Sequence, residues 1–183
     1  MGVSSRITKE AILAEAFSLV RQGGHKALTA RSLAENLSCS TMPIYSKIGK
    51  RSLLEEAVAL RSLELLKRFQ GLISENTTPT LLDIAEGTLR FACQEPALYR
   101  TMFLSNDPGQ KELRSKMQQD ATRELWCILK IQNDRNSQAH LEKLIIFVNG
   151  LASTYLYGAV SLQEIQLFSL LKEYNALLLG WAK

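Results

Sequence analysis

The chain has 183 residues, of which 46% are hydrophobic and 22% charged. This composition is ordinary for a globular protein and argues against intrinsic disorder. No run of about 18 uncharged apolar residues is present, and Met1 to Lys9 have no apolar core of signal-peptide length. We therefore expect a cytoplasmic protein without a membrane partner.

The net charge of +4 is unevenly distributed along the chain. Residues 1–51 hold eight Lys or Arg and three acidic residues, whereas the remaining 132 residues hold 14 basic and 15 acidic side chains. A basic first segment followed by a near-neutral remainder favours a polyanion as the partner of that first segment. Charge asymmetry of this size is common, so it is only a supporting observation.

The residues that commonly carry chemistry are few and scattered. Cys39, Cys93 and Cys127 are odd in number and far apart, which argues against a disulfide framework or a clustered zinc site. His25 and His140 have no ligand partners at helical spacing. No catalytic triad, phosphate-binding glycine loop or HExxH motif stands out. We expect no metal, no cofactor and no enzyme activity.

The first predicted helix begins at Lys9, after Thr8 as its capping residue. Apolar residues recur on one face between Ile12 and Val20, with the spacing of an amphipathic helix. Gly24 then ends the helix, because glycine readily adopts the left-handed conformation found after helix C-termini.

Two short helices come next, at 30–37 and 41–48, with a three-residue turn between them. Cys39 is the expected apolar contact inside the turn, and Ser40 is the expected N-cap of the second helix. Pro43 falls in the first turn of that helix, where its missing N–H costs nothing. This spacing is typical of a helix-turn-helix, and an ordinary helical corner in a bundle is the alternative.

The rest of the chain also has a helical pattern. A fourth helix is predicted from residue 51 to about residue 72, and the polar, turn-rich stretch 74–79 separates it from the C-terminal part of the chain. The five remaining helices are predicted at 80–94, 96–105, 109–132, 137–159 and 162–182. The predicted fold class is therefore all-α with about nine helices, divided into a helix-turn-helix domain over 1–51 and a helical bundle over 52–183.

Residues 12–54 combine these helices with a specific residue pattern. The pattern reads Ile12-Leu13-x-x-Ala16-x-x-Leu19-Val20-x-x-x-Gly24, then Thr29-Ala30-Arg31-Ser32-Leu33-Ala34, Cys39-Ser40, Ile44-Tyr45, Ile48, Arg51 and Leu54. It resembles the TetR family of transcriptional regulators, and the second half of the chain resembles that family only in its helices and in a run at 147–152. The resemblance implies a DNA-binding N-terminal domain and a C-terminal bundle that dimerises and binds an effector.

In such a protein the third helix lies in the major groove, with its N-terminal side chains at the base edges. The candidates for base contacts are Thr41, Met42, Ser46 and Lys47. Lys47 suits guanine O6 and N7, and Thr41 and Met42 suit thymine methyl groups. The resemblance implies phosphate contacts from Thr29, Tyr45 and Arg51, to which Lys50 and Arg31 are further candidates. For each basic residue alone, an ordinary solvated charge is the alternative.

The predicted third helix departs from the family at Met42-Pro43 and at Ser46-Lys47. A further departure is His25, directly after Gly24, where an aromatic residue is usual. We interpret His25 as a packing residue without a functional role. The other departures change the expected operator, whose sequence cannot be inferred. They also motivate the rival hypothesis of an interaction module that keeps the fold and has lost DNA binding.

The middle helices are expected to enclose a small-molecule effector, most simply an apolar or aromatic compound. The candidate lining residues are Phe91, Tyr99, Met102, Phe103, Met117, Trp126 and Tyr155. Aromatic and methionine residues at helical spacing often belong to the hydrophobic core, so the alternative is a C-terminal helical bundle without a pocket. The resemblance to the family implies a repressor that is released from DNA when it binds its effector.

The last two helices are expected to form the dimer interface. In the ninth helix an apolar seam with heptad-like spacing consists of Leu167, Leu171, Tyr174, Leu178 and Trp181. In the eighth helix a stripe of small residues consists of Gly150, Thr154 and Gly158. The alternative is that both sets pack within one chain. A dimer is expected in any case, because one reading helix covers only a few base pairs and two are needed for a palindromic double-stranded operator.

Overall fold

The computed structural model describes residues 7–73, 78–105, 111–131 and 133–181. Every regular element in these ranges is helical, and nine are α-helices. In chain order they are α1 Lys9–Gly23, α2 Ala30–Asn36, α3 Met42–Ile48, α4 Arg51–Phe69, α5 Leu81–Gln94, α6 Pro96–Tyr99, α7 Lys111–Ile128, α8 Arg135–Leu156 and α9 Glu164–Trp181. We call α1–α3 the head and α5–α9 the body, and α4 joins them.

The first two helices begin and end where local chemistry predicts. The Ala11 N–H donates to Thr8 Oγ1 at 3.1 Å, which satisfies one of the free N–H groups at the start of α1. Gly24 ends α1 with φ of +70°, a conformation that favours glycine. Thr29 caps α2 in the same way as Thr8 caps α1, because the Ser32 N–H donates to its hydroxyl oxygen at 3.0 Å.

The third helix begins differently from the prediction, and the assignment of Ser40 as its N-cap is wrong. Thr41 occupies the cap position with an already helical backbone, and its side chain makes no capping hydrogen bond. The Thr41 carbonyl instead accepts from the Ile44 and Tyr45 N–H groups at 3.1 and 3.2 Å. Pro43 lies in the first turn, as predicted, where it reduces the number of N–H groups that need a cap.

The fourth helix is shorter than predicted and ends at Phe69, because Gly71 turns the chain with φ of +73°. The next helix, α5, crosses close to this end of α4. A Cβ atom added at Gly87 would lie 2.2 Å from the Phe69 carbonyl oxygen, so only glycine permits the observed approach of the two helices. The predicted separating stretch falls largely on residues 74–77, which lie outside the described residues.

The body is built around α5, which packs against α4, α6, α8 and α9. The predicted single helix at 96–105 is α6 followed by a π-helical turn at Arg100–Leu104. Helix α8 ends at Leu156, earlier than predicted, because Gly158 leaves the helix with φ of +66°. The other predicted helices agree with the observed bounds to within a few residues.

One continuous apolar core extends from Ile12 in the head to Leu178 in the body. A second, smaller cluster lies between α5, α7 and α8 and is centred on Ile84, Leu125 and Leu141. No helix in the described ranges combines the length and apolar character that crossing a membrane requires.

Candidate nucleic-acid interface

The third helix has one buried and one exposed face. Ile44 and Ile48, four residues apart, are buried in the core. The candidates for base contacts all lie on the exposed part of the helix and at its start, namely Thr41, Met42, Ser46 and Lys47. Met42 is 72% exposed and Tyr45 is 61% exposed. Large side chains of these types are usually more buried in a folded protein.

Four of the five candidates for phosphate contacts line one shallow cleft of about 180 Å³. They are Thr29 at the N-cap of α2, Tyr45 on α3, and Lys50 and Arg51 at the start of α4. The floor of the cleft includes apolar residues such as Leu28 and Leu54. The arrangement combines hydroxyl groups, two cations and the N-terminus of α2, all of which favour an anion.

Arg51 is held in this cleft by two neighbours. Its Nε donates to Glu55 Oε1 at 2.9 Å, and its Nη2 lies 3.0 Å from His25 Nε2. His25 is also 3.5 Å from Glu55 Oε1. From the sequence, His25 was expected only to pack, yet it contacts a phosphate candidate. No local pattern signals this contact, because 26 residues separate the two side chains.

The remaining polar candidates are positioned separately. Arg31, outside the cleft, donates to Glu35 at 2.9 Å along the exposed face of α2. The Ser46 hydroxyl donates to the Pro43 carbonyl at 3.2 Å, so its oxygen can still accept a hydrogen bond. Lys47 and Lys50 are exposed and form no ion pair with any described residue.

The candidates for effector lining are mostly core residues in this structure. Phe91, Tyr99 and Met102 are buried, and the rings of Phe69, Phe91, Tyr99 and Phe103 form a row with centroid separations of 4.8–6.4 Å. These side chains pack against one another, and their role in lining an effector pocket stays a prediction. Phe103 and Tyr155 pack partly buried against this core, Trp126 packs against the smaller cluster, and the Met117 side chain lies outside the described residues.

A buried polar contact reinforces this packing. The Tyr99 hydroxyl donates to Asn149 Oδ1 at 2.6 Å, and burial raises the pKa of this phenol. A buried hydroxyl needs such a partner, so the contact fixes α6 against α8. Burial, followed by the charge of Glu164, also raises the pKa of the nearby Cys93 thiol to about 11, which keeps it protonated.

The predicted dimer seam on α9 is wrong for three of its residues. Leu167, Leu171 and Leu178 are buried in the core of their own chain. Tyr174 stacks on Phe147 of α8 with ring centroids 4.0 Å apart. The heptad-like spacing therefore marks the face that α9 turns toward its own body, and the Trp181 side chain lies outside the described residues.

The outward faces of α8 and α9 carry other apolar side chains. Ile146 on α8 and Ile165 on α9 are 71% and 75% exposed, and Leu179 is also exposed. The sequence signal was available, since Ile146 lies opposite the buried residues Leu144 and Val148 on the helical wheel.

The predicted small-residue stripe is shorter than expected. Gly150 lies on the outward face of α8, with open space where a Cβ would be. The Thr154 hydroxyl donates to the Gly150 carbonyl at 2.7 Å. Gly158, by contrast, lies beyond the end of the helix, so it does not extend the stripe.

An ion pair that was not expected from the sequence connects head and body. Arg21, in the last turn of α1, donates its Nε to Glu95 Oε2 at 2.7 Å, and its Nη2 donates to Glu95 Oε1. Glu95 is buried and precedes α6. Its hydrogen bonds, followed by its charge, raise the pKa of Arg21. The 74 residues between them leave no local sequence signal.

The fold is similar to two solved structures from Rhodococcus. The first is a "putative TetR-family transcriptional regulator" from Rhodococcus sp., which matches with a TM-score of 0.67 and 16% identity over 96% of this chain and 99% of that chain. The second, a protein of unknown function from Rhodococcus sp. RHA1, matches with a TM-score of 0.65 and 16% identity over 91% and 92% of the two chains. No protein-family model and no curated protein sequence matches the chain. The predicted all-α class and the resemblance of the fold to a TetR-type regulator are confirmed.

Proposed function

We propose that this chain is a TetR-type transcriptional regulator, which binds a palindromic operator as a homodimer and acts in the cytoplasm. The observation that carries the proposal is the outer face of α3, where Met42, Tyr45 and Lys47 are exposed among the described residues. The similarity of the fold to a structure described as a TetR-family regulator supports it.

Base recognition falls to the exposed side chains at the start and along the outer face of α3. Lys47 donates to guanine O6 and N7, and Met42 contacts a thymine methyl group. Ser46, whose hydroxyl hydrogen is engaged by the Pro43 carbonyl, accepts from a base donor. Pro43 offers only apolar contact, so the helix reads few positions and specificity requires a second head.

Phosphate binding falls to the cleft between α2, α3 and α4. The cleft is lined by Thr29, Tyr45, Lys50 and Arg51. A phosphate there accepts hydrogen bonds from their N–H and O–H groups and from the free N–H groups at the start of α2. Glu55 restrains Arg51 before DNA arrives, which lowers the entropy lost on binding. Arg31 lies on the exposed face of α2 as a peripheral contact.

The dimer interface proposed here is the outward face of α8 and α9. Ile146, Ile165 and Leu179 supply apolar surface, and Gly150 lets a second helix approach closely. Exposed apolar side chains on adjoining helices are the usual mark of a surface that another chain covers. This surface replaces the seam of buried leucines predicted from the sequence.

Regulation depends on the way that α4 joins the head to the body. This helix packs against α1 on one side and α5 on the other, so its tilt sets the distance between the two reading helices of a dimer. We propose that the protein is a repressor and that a small-molecule effector favours a tilt unsuited to the operator. The effector weakens DNA binding to the extent that it binds the protein more tightly with α4 in the unsuited tilt than in the tilt that fits the operator.

The decisive experiment is a titration of labelled duplex DNA from the gene's upstream region, followed by fluorescence anisotropy at several salt concentrations. We expect binding that survives excess random DNA and weakens steeply with added salt. Tyr45→Phe and Arg51→Ala should weaken binding to all sequences alike, and Lys47→Gln should reduce the preference for the operator.

Lys111→Gln is the matched control, because Lys111 is exposed at the start of α7, outside both the head and the proposed dimer interface. Binding of the parent protein no tighter than to random DNA would prompt selection of bound fragments from the whole genome. An empty selection would reject the proposal in favour of the interaction module without DNA binding.

The dimer is tested separately by sedimentation. Ile146→Glu places a charge on the outward face of α8 and should convert the dimer to a monomer, because an unpaired charge in an apolar interface is costly. Lys111→Glu, at an exposed position at the start of α7, should leave the dimer intact. Dissociation in neither variant would reject this face as the interface.

A further inference from the structure

A second cleft lies where the head meets the body, and it has no part in the proposed contacts with DNA. One wall is formed by residues 22–26, at the end of α1 and in the 3₁₀ turn that follows it. The other wall includes Arg100, Leu104 and Tyr157. The volume of about 810 Å³ lies within the range of small-molecule sites.

The charges on its walls are of one sign. Lys26 on the head side and Arg100 on the body side both line the cleft, and no Asp or Glu does so in the described part of the chain. Lys26 forms no ion pair with any described residue. His25 also lines the cleft, and its Nε2 lies 3.0 Å from Arg51 Nη2 and 3.5 Å from Glu55 Oε1. Two cations without a carboxylate among the described lining residues attract an anion.

Arg100 is held in place for such a contact. Its Nη2 donates to the Leu156 carbonyl at 2.6 Å, which restrains the guanidinium at the C-terminal end of α8. A guanidinium has five N–H groups, so most of its donors remain for a ligand. An arginine restrained in this way loses less conformational freedom when it binds a carboxylate, sulfonate or phosphate.

The remaining lining is suited to an apolar group. Ala97 and Leu104 line the body side, and the ring of Tyr157, which is exposed, adds an aromatic surface. The Thr101 hydroxyl is occupied, since it donates to the Ala97 carbonyl at 2.8 Å. The cleft thus combines two cations with aliphatic and aromatic surface and few free polar side chains.

We propose that this cleft binds an amphipathic organic anion, in which a carboxylate, sulfonate or phosphate group meets Lys26 and Arg100 and an apolar body rests on Leu104 and Tyr157. Its occupant contacts both head and body. The consequence for regulation rests on the proposed function, because a ligand here favours one position of the head over another. Binding itself does not depend on DNA.

The test uses 8-anilinonaphthalene-1-sulfonate, an aromatic anion whose fluorescence rises in apolar surroundings, titrated into the 183-residue chain without DNA. We expect saturable binding that Lys26→Gln weakens several-fold and Lys26→Gln/Arg100→Gln weakens by about tenfold or more, as loss of charged hydrogen bonds implies. Since Arg100 also holds the end of α8, circular dichroism checks the double variant, and Lys26→Gln alone keeps the test valid if that variant unfolds.

Two controls fix the site and the chemistry. Arg68→Gln alters a different cleft, of about 590 Å³ between α4 and α5, and should leave the dissociation constant unchanged. N-phenyl-1-naphthylamine, which has the same rings without the sulfonate, should bind the parent and Lys26→Gln proteins equally. Absence of saturable binding, equal binding by the parent and Lys26→Gln, or a loss with Arg68→Gln instead would overturn the proposal. All these readouts stand even if the protein binds no DNA.

Discussion

Helices α3 and α5 use their surfaces in opposite ways. The seven residues of α3 bury only Ile44 and Ile48, and the helix begins without a side-chain cap. Met42, Tyr45 and Lys47 are left exposed on it. The exposed side chains of α3 add little to the stability of the fold, so they are available to bind a partner.

The fourteen residues of α5 are enclosed instead. Seven of them are buried, and a reciprocal pair of hydrogen bonds between Thr80 and Asp83 completes the start of the helix. Gly87 brings the helix against the backbone of α4. The exposed residues of α3 are therefore the ones proposed to bind DNA, whereas substitutions in α5 are expected to act on stability. Both sides of this division can be tested by substitution.

The largest effect is expected at Gly87. In Gly87→Ala the new Cβ would lie 2.2 Å from the Phe69 carbonyl oxygen and 2.7 Å from Gln70 Cα, so the backbones must separate. We expect the free energy of unfolding to fall by about 3 kcal/mol or more, measured by urea denaturation. Gln94→Ala, at an exposed position of the same helix, should change it little. Equal stability of the two variants would mean that α4 and α5 are not so closely packed.

The next effect concerns the ion pair between the two regions. Arg21→Ala leaves the buried Glu95 carboxylate without its bidentate partner, which we expect to cost about 2 kcal/mol because the arginine itself is half exposed. Arg31→Ala removes an ion pair that is exposed on both sides and should cost less than about 0.5 kcal/mol.

A double-mutant cycle separates this ion pair from other effects of the arginine. If Arg21→Ala costs the same in the parent and in a Glu95→Gln background, the two side chains are not coupled. The Arg21–Glu95 ion pair would then make no contribution to holding the head against the body.

A smaller effect is expected at the start of α5. Thr80→Ala removes the hydroxyl that accepts from the Asp83 N–H at 3.1 Å, which should cost about 1 kcal/mol at neutral pH. Hydrogen bonds from the Thr80 side chain and then its backbone also lower the pKa of Asp83. A lowered folded-state pKa stabilises the protein above the unfolded value and loses that effect as the pH falls through the folded value.

The pH profile of unfolding therefore distinguishes the two contributions of Thr80. In Thr80→Ala the loss of stability below about pH 4 should be smaller than in the parent, since Asp83 keeps fewer hydrogen bonds. Thr80→Ser retains the hydroxyl and should follow the parent profile. Parallel profiles for Thr80→Ala and the parent would contradict the role of the cap.

Local chemistry explains what could be predicted from the sequence. Thr8 and Gly24 set the ends of α1 through groups within a few residues of one another, and these assignments are confirmed. Ile44 and Ile48 identify the buried face of α3, and therefore its exposed face, by their spacing alone. Ser40 is the exception, because a helical Thr41 made its side-chain cap unnecessary.

Residues whose partners are distant in the chain could not be assigned. The spacing of Leu167 and Leu171 identifies an apolar face, but periodicity does not say whether that face meets its own chain or another. The same ambiguity affected Phe91 and Tyr99, which pack as core. The ion pair of Arg21 with Glu95 depends on the tertiary fold and has no periodic signal.

The smallest effect on stability is expected at Met42, a residue proposed to contact DNA. Met42→Ser removes a side chain that is 72% exposed, so the free energy of unfolding should change by less than about 0.5 kcal/mol. Affinity for the operator should nevertheless fall, because a thymine methyl contact is lost. Ile146→Ser, which is equally exposed on α8, should weaken the dimer in sedimentation and leave the affinity of saturated dimer unchanged. If Met42→Ser destabilised the fold while operator affinity stayed the same, α3 would belong with α5 as a structural helix, and its exposure would have no functional meaning.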